Sequence, residues 1–157
     1  MPVPTTNERK LKALYAVDPF RPLAELNPAC SLLDPENLSL LVLMVCEVPE
    51  ESLELFRKRL MPPGQLRRQV AAREVELQEH MAEVPHKLES MGYEVDSKLE
   101  RGKQTGLVIT EVAEREDVDL IILERRRQKT WQRILIGSVA DYVTRHTQRP
   151  LLIMPLP

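Results

Sequence analysis

Residues 38–45 read LSLLVLMV, an almost unbroken apolar run that lies between PEN at 35–37 and EVP at 47–49. Strands that are buried on both faces show this pattern, and they belong mostly to parallel sheets covered by helices. A second and largely apolar run, VDLIIL at 118–123, has the same character. The two runs predict a parallel sheet at the centre of a chain whose 157 residues suit one domain.

Strand and helix patterns alternate on either side of these two runs. Further strands are predicted at 11–17, at 93–99 and from Leu151 to Met154, and helices at 22–33, 51–59, 65–92, 105–116 and 138–147. Proline has no amide hydrogen and disrupts a helix interior, so the first helix should bend or break near Pro28. The long helix should kink or break at Pro85, and Gly92 should terminate it. The sequence PPG at 62–64 is expected to be a hard stop between two elements.

The alternating order predicts an α/β three-layer sandwich with a five-stranded parallel sheet. Residues 93–99 alternate between apolar and polar, which is typical of a half-exposed strand at a sheet edge. The strand order 3-2-1-4-5 would place the third strand there. Ligands of such sheets bind at the carboxyl ends of the strands where the order reverses, and these ends are Asp18 and Glu124. A polar loop is expected from Glu124 to Arg133, and a turn at 101–104.

The domain organisation is simple. Residues 1–10 are polar and proline-bearing, which predicts a flexible arm before a single domain at 11–157. The first ten residues lack the apolar segment of a signal peptide, and the longest apolar run, 40–46, is far too short to span a membrane. We therefore expect a cytoplasmic protein without a membrane span.

Composition and motifs exclude several kinds of site. The chain has 22 Lys and Arg against 24 Asp and Glu, a net charge of −2, so its surface as a whole is no polyanion binder. Cys30 and Cys46 lack a C-x-x-C partner, and His80 and His86 are six residues apart, so no metal site is expected. Ser138 lies outside any G-x-S-x-G elbow, and we expect no catalytic residues.

A basic segment, residues 125–133, contains five Lys and Arg around Trp131. Basic side chains with an aromatic neighbour can bind nucleic acid, but charge runs of this length are usually solvated loops. We therefore expect that the chain does not bind nucleic acid.

The carboxyl-terminal part of the chain, 118–154, resembles the final β-α-β unit of universal stress protein domains through IGSV at 136–139 and RPLL at 149–152. The resemblance extends to Asp18 at the end of the first strand, to the run at 38–45 and to Gly102. It covers about residues 11–154 and implies the adenine nucleotide alpha hydrolase-like fold. The site residues that it implies are Asp18, Val45, Gly137, Ser138 and Val139.

The ATP motif of that family is degenerate in this chain. Nucleotide-binding members carry G-x-x-G, nine further residues and then G-[ST], which would place the first two glycines at Glu124 and Arg127. Only Gly137 and Ser138 remain. Glycine lets backbone amides approach phosphate oxygens, whereas Glu124 adds bulk and negative charge. The resemblance thus implies weak or lost ATP binding, with ATP or AMP held at low affinity and no cofactor required.

The resemblance implies a non-catalytic regulatory or binding module, with a homodimer formed through the last strand, Leu151 to Met154. Two alternatives stay open, namely a cytosolic regulatory domain associated with a membrane transporter and an ATP-binding or ATP-hydrolysing stress protein. Two residues also have structural interpretations. Asp18 suits a turn before Pro19, and Ser138 suits the N-cap of the following helix.

Overall fold

The computed structural model describes residues 9–18, 33–125 and 137–155. Five strands and four helices lie in these ranges, in the order β1 (Leu11–Ala16), β2 (Leu38–Glu47), α1 (Glu50–Arg57), α2 (Pro63–Ser90), β3 (Glu94–Gly102), α3 (Thr105–Arg115), β4 (Leu120–Arg125), α4 (Ser138–His146) and β5 (Leu151–Pro155). The helix predicted at 22–33, with its bend at Pro28, falls almost entirely outside the described residues. So do residues 1–8 of the predicted arm.

The five strands form one parallel sheet in the order β3-β2-β1-β4-β5, which confirms the predicted order and the edge position of the third strand. The central pair aligns Leu11 with Leu38 and Ala16 with Leu43. Because β1 and β4 are neighbours, the order reverses between them, and the carboxyl ends of these strands define the expected position of a ligand site.

Two apolar clusters, one on each face of the sheet, form the core and confirm the three-layer sandwich. Leu77, Met81, Val84 and Leu88 of α2 pack on the face that carries Tyr15, Val42 and Ile122. On the other face, residues of α3 and α4 pack against inward-facing side chains of β1, β2 and β4: Val108, Ile109, Val112, Ala140 and Val143 against Leu14, Leu43, Val45, Ile121 and Leu123. In the described ranges, no helix is both long and apolar enough to cross a membrane.

The helix predicted at 51–59 is present as α1, but the expected stop at 62–64 is wrong. Pro62 is instead the N-cap of α2 and Pro63 its first residue. The first helical position needs no amide donor and favours the fixed φ of proline, so this proline starts a helix. The helix then continues without a break through Pro85 to Ser90. Gly92 follows the C-cap residue Met91 and has a φ of +97°, so it terminates the helix as predicted.

Strands β3 and β4 both extend further than predicted. Arg101 and Gly102 belong to β3 rather than to a turn, and their partners are Cys46 and Glu47 of β2. Gly102 is needed there, because a Cβ atom would lie 2.2 Å from Cγ2 of Val108 in α3. Strand β4 likewise includes Glu124 and Arg125.

The amino ends of the strands are held by ion pairs and a backbone cap. Asp119 accepts a hydrogen bond from the Lys12 amide at 2.8 Å and another from Arg9 at 3.2 Å. The Lys12 amide and the Arg9 guanidinium lower the pKa of Asp119. The Lys12 ammonium pairs with Glu116, which also pairs with Lys98. Ionisable side chains at this end are therefore already matched with opposite charges.

Candidate functional site

Asp18 and Val45 come together at the carboxyl edge of the sheet. The amide of Val17 donates to the carbonyl of Leu43 at 2.9 Å, so the pairing of β1 with β2 continues past Ala16. The same register places Asp18 opposite Val45. Asp18 is half-buried, while the Val45 side chain is 6% exposed and packs in the cluster beneath α3 and α4.

Tyr15 and Glu124 form a hydrogen bond between β1 and β4 that sequence reasoning missed. The Tyr15 hydroxyl donates to Oε1 of Glu124, and the Tyr15 side chain is only 2% exposed. Tyr15 and Ile122 belong to the cluster beneath α2, and strand alternation places the side chain of Glu124 on that same face. Burial raises the pKa of Glu124 from 4.5 to about 7.

The backbone at Glu124 is part of the sheet. Glu124 pairs with Met154 of β5 and Arg125 pairs with Pro155, so β4 remains a strand across the position where the family motif has its first glycine. The expectation that a loop begins at Glu124 is therefore wrong. The rest of that loop, including Arg127 and Trp131, lies outside the described residues.

Two helices, α3 and α4, begin at this edge, and their first turns differ. Glu47, at the end of β2, accepts hydrogen bonds from the Thr105 amide at 2.7 Å and from the Thr105 hydroxyl at 2.5 Å. A carboxylate at this place also complements the positive end of the helix dipole. The first turn of α3 thus already holds an anionic group that belongs to the chain.

The first turn of α4 has no such cap from a described side chain. Gly137 is its N-cap, with φ −55° and ψ 157°, and Ser138 is its first helical residue, so the expectation that Ser138 is the N-cap is wrong. A Cβ atom on Gly137 would meet no described atom within 4 Å. Neither the backbone angles nor the packing of described residues requires glycine here. The free amides of a helix start can hold an anion.

Helix α4 is held firmly against the sheet. Ala140 and Val143 are buried and Val139 is partly buried in the same cluster as Val45. Helix α3 approaches closely at Gly106, where a Cβ atom would lie 2.9 Å from Tyr142. Because α4 follows β4 and leads into the amino end of β5, its first turn lies at the carboxyl edge. The five predicted site residues remain a prediction as a ligand site.

The thiol and the possible metal ligands in the described ranges do not form a second functional site. Cys46 is buried, and burial and the nearby Glu74 raise the pKa of its thiol, which disfavours the nucleophilic thiolate. Within those ranges, no three His, Cys, Asp or Glu side chains are grouped so that they could hold a metal ion.

Comparisons with known proteins agree with this fold. The family model described as the universal stress protein family matches residues 7–155. No curated protein sequence matches the chain.

Solved structures with the same fold come from diverse organisms. The universal stress protein UspA from Lactobacillus plantarum is 16% identical, with a TM-score of 0.66 over 94% of this chain and 99% of its own. A family protein from Arabidopsis thaliana with AMP bound is 13% identical, with a TM-score of 0.58 over 94% and 92%. The universal stress protein from Archaeoglobus fulgidus in complex with dAMP is 13% identical, with a TM-score of 0.55 over 91% and 96%.

The strand order and the helices on both faces define a parallel α/β protein with a three-layer sandwich. More specifically, the chain belongs to the universal stress protein family, because the family model covers nearly its whole length.

Proposed function

We propose that this chain is a non-catalytic binding module of the universal stress type, which forms a homodimer in the cytoplasm and binds nucleotides only weakly. Its ligand would be a nucleoside monophosphate held by one phosphate at Gly137 and Ser138. The observation that carries this proposal is the pairing of Glu124 and Arg125 with β5. Because residues 124 and 125 continue the strand, the backbone does not turn there as a glycine loop around a triphosphate would.

The charge of Glu124 supports the same conclusion. Its pKa of about 7 means that a negative charge develops near the carboxyl end of β4 as the pH rises through neutrality. Metal-free ATP carries more negative charge than AMP, so repulsion from this carboxylate would penalise metal-free ATP more strongly. The relatives from Arabidopsis thaliana and Archaeoglobus fulgidus hold AMP and dAMP, which each carry one phosphate.

Calorimetric titration with AMP and with ATP in the presence of Mg²⁺ tests the proposal. We expect dissociation constants for both ligands of about 0.1 mM or weaker, with ATP no tighter than AMP. Binding of ATP with a dissociation constant of about 1 μM would contradict it.

A pair of substitutions at Ser138 tests whether the α4 amides hold the phosphate. Ser138→Pro removes one amide hydrogen at the first helical position, where proline is well tolerated. Ser138→Ala keeps that amide and removes only the hydroxyl. We expect Ser138→Pro to weaken AMP binding by about fivefold or more and Ser138→Ala to have a much smaller effect. Equal losses in the two variants would assign the contact to the side chain instead.

An assay of phosphate release distinguishes a binding module from an ATP-hydrolysing protein. We expect the rate with ATP and Mg²⁺ to equal that of the protein-free control. A saturable release that is lost in Ser138→Pro would contradict the non-catalytic assignment.

A further inference from the structure

The turn that joins α1 to α2 carries a concentration of positive charge. Residues 55–73 contain six Lys and Arg and no Asp or Glu, in a chain whose net charge is −2. Such a segment can attract an anionic surface even though the molecule as a whole is slightly acidic. The turn is separate from the candidate ligand site at the carboxyl ends of β1 and β4.

Apolar side chains are exposed at the same turn. Leu60 is 71% exposed, Leu55 41% and Phe56 40%. The Leu60 amide donates to the Leu55 carbonyl at 2.8 Å and the Arg59 amide to the Phe56 carbonyl at 3.0 Å. Arg59 has a φ of 57°, so these bonds form the Schellman ending of α1, which joins the backbone of Leu60 to that of Leu55. A small apolar group is thereby fixed beside the cations.

Met61 is the buried residue of this turn, at 7% exposure, whereas Leu55, Phe56 and Leu60 lie outside both core clusters. Helix α1 has no buried residue, and the first buried residue of α2 is Leu77. The fourteen residues of α2 before Leu77 extend over about 21 Å at 1.5 Å per residue. Intramolecular packing therefore does not account for the exposed apolar residues of this segment.

Three arginines at the turn have no ion-pair partner within the described part of the chain. Arg57 pairs with Glu50 at 3.2 Å, and Lys58 lies 4.0 Å from Glu54. Arg59, Arg67 and Arg68 are exposed, and no described carboxylate pairs with them. We call Leu55, Phe56, Leu60 and these three arginines the basic tip.

We propose that the basic tip docks on an anionic lipid surface. Exposed leucine and phenylalanine can enter the boundary between headgroups and acyl chains while arginines contact lipid phosphates, and this combination is typical of peripheral membrane binding. Proteins that bind single-stranded nucleic acid combine cations with stacking aromatic rings, whereas the apolar part of the tip is mainly leucine. Two of the three carboxylates of α1, Glu50 and Glu54, are matched by Arg57 and Lys58, which leaves the three arginines of the tip in excess.

Sedimentation with lipid vesicles tests the proposal on the full chain. Vesicles of phosphatidylcholine with about 30% phosphatidylglycerol should pellet the protein at about 50 mM salt, and pure phosphatidylcholine should not. Raising the salt to about 500 mM should release most of the protein, because screening removes the attraction to the headgroups.

Matched variants locate the contact. Arg67→Gln/Arg68→Gln should weaken binding by about tenfold or more, since each basic residue near an anionic surface contributes about fivefold. Arg115→Gln/Arg145→Gln makes the same charge change on α3 and α4, on the opposite face of the sheet, and should leave binding unchanged. Leu60→Asn should weaken binding by about threefold or more, whereas Val75→Asn, at a site 58% exposed, should not.

Three outcomes would overturn the proposal. The first is no sedimentation with the anionic vesicles, and the second is an equal loss in the tip variants and their controls. The third is retention of an acidic protein or an oligonucleotide through the tip without any vesicle binding, which would assign it to another class of partner. Circular dichroism of each variant ensures that a lost interaction is not caused by unfolding.

Discussion

At the scale of residues, the proposed function depends most on the hydrogen bond between Tyr15 and Glu124. It fixes a carboxyl group between two central strands, where its surroundings disfavour the charged form. A glycine at this position would have neither the side chain nor the charge. One substitution relative to the family motif therefore changes both the shape and the electrostatics of the edge.

Glu124→Gln should remove a pH-dependent contribution to stability. The folded protein keeps the Glu124 proton up to about pH 7, whereas the unfolded chain releases it near the ordinary value of 4.5. Wild-type stability therefore falls as the pH rises between these values, by about 1–2 kcal/mol after allowance for solvent screening. The neutral glutamine should remove this loss, so the variant should gain about that much relative to wild type between about pH 5 and pH 8.

Urea unfolding of wild type and Glu124→Gln at about pH 5 and pH 8 measures the difference in their stability. Glu94→Gln, whose side chain is 75% exposed and pairs with Lys10 at 3.8 Å, is the matched control and should show no such gain. An identical pH dependence in wild type and Glu124→Gln would contradict the assignment.

Glu124→Gly combined with Arg127→Gly should strengthen ATP binding, because it restores the two motif glycines and removes the carboxylate. We expect a gain of about tenfold or more in calorimetric titration, with little effect on AMP. Arg127→Gly alone is the control, since it leaves Glu124 in place. No gain in the double variant would indicate that the walls near Asp18 and Val45 have also diverged.

At the scale of elements, α2 consists of two functionally different halves. Its carboxyl-terminal half covers the sheet through Leu77, Met81, Val84 and Leu88, and its amino-terminal half carries part of the basic tip. The carboxyl-terminal half contributes to the core, and the amino-terminal half is free to contact another surface.

Leu88→Ala should destabilise the fold by about 2–5 kcal/mol, because Leu88 is fully buried between α2 and the sheet and its loss leaves a cavity. Val75→Ala on the same helix, at a position 58% exposed, should change stability by less than about 0.5 kcal/mol. Chemical unfolding of the two variants checks the difference, and similar costs would contradict the division of α2.

The sequence predicts the elements well where burial dominates and less well where local contacts decide. The apolar run of β2 and the alternation of β3 indicate their places in the sheet directly. The start of α2 at Pro63 and the continuation of β4 through Glu124 depend on capping and on pairing with β5, which no single segment encodes. The hydrogen bond of Tyr15 could not be predicted from the sequence, because its partner is 109 positions away.

At the scale of the whole molecule, the described sheet has two unlike edges. Strand β3 is rich in charged residues and partly exposed, while β5 is short and apolar with Leu151, Leu152 and Ile153 half-buried. An apolar edge strand is a ready site for pairing with another chain, whereas charged residues protect an edge. The asymmetry supports association through β5.

Light scattering at micromolar concentration should accordingly give a mass of twice the 18.1 kDa of one chain. Leu152→Lys should shift the protein towards monomer, because a lysine on an edge strand opposes pairing. Ser97→Lys makes the same addition on β3 and should keep the dimer. A wild-type mass of 18.1 kDa would contradict the dimer.

The most direct test of the central claim is a crystal structure of the protein grown with ATP and Mg²⁺. We expect electron density for at most one phosphate, on the amides of Gly137 and Ser138, with Glu124 still bonded to Tyr15. Density for all three phosphates held along residues 124–138 would contradict the account.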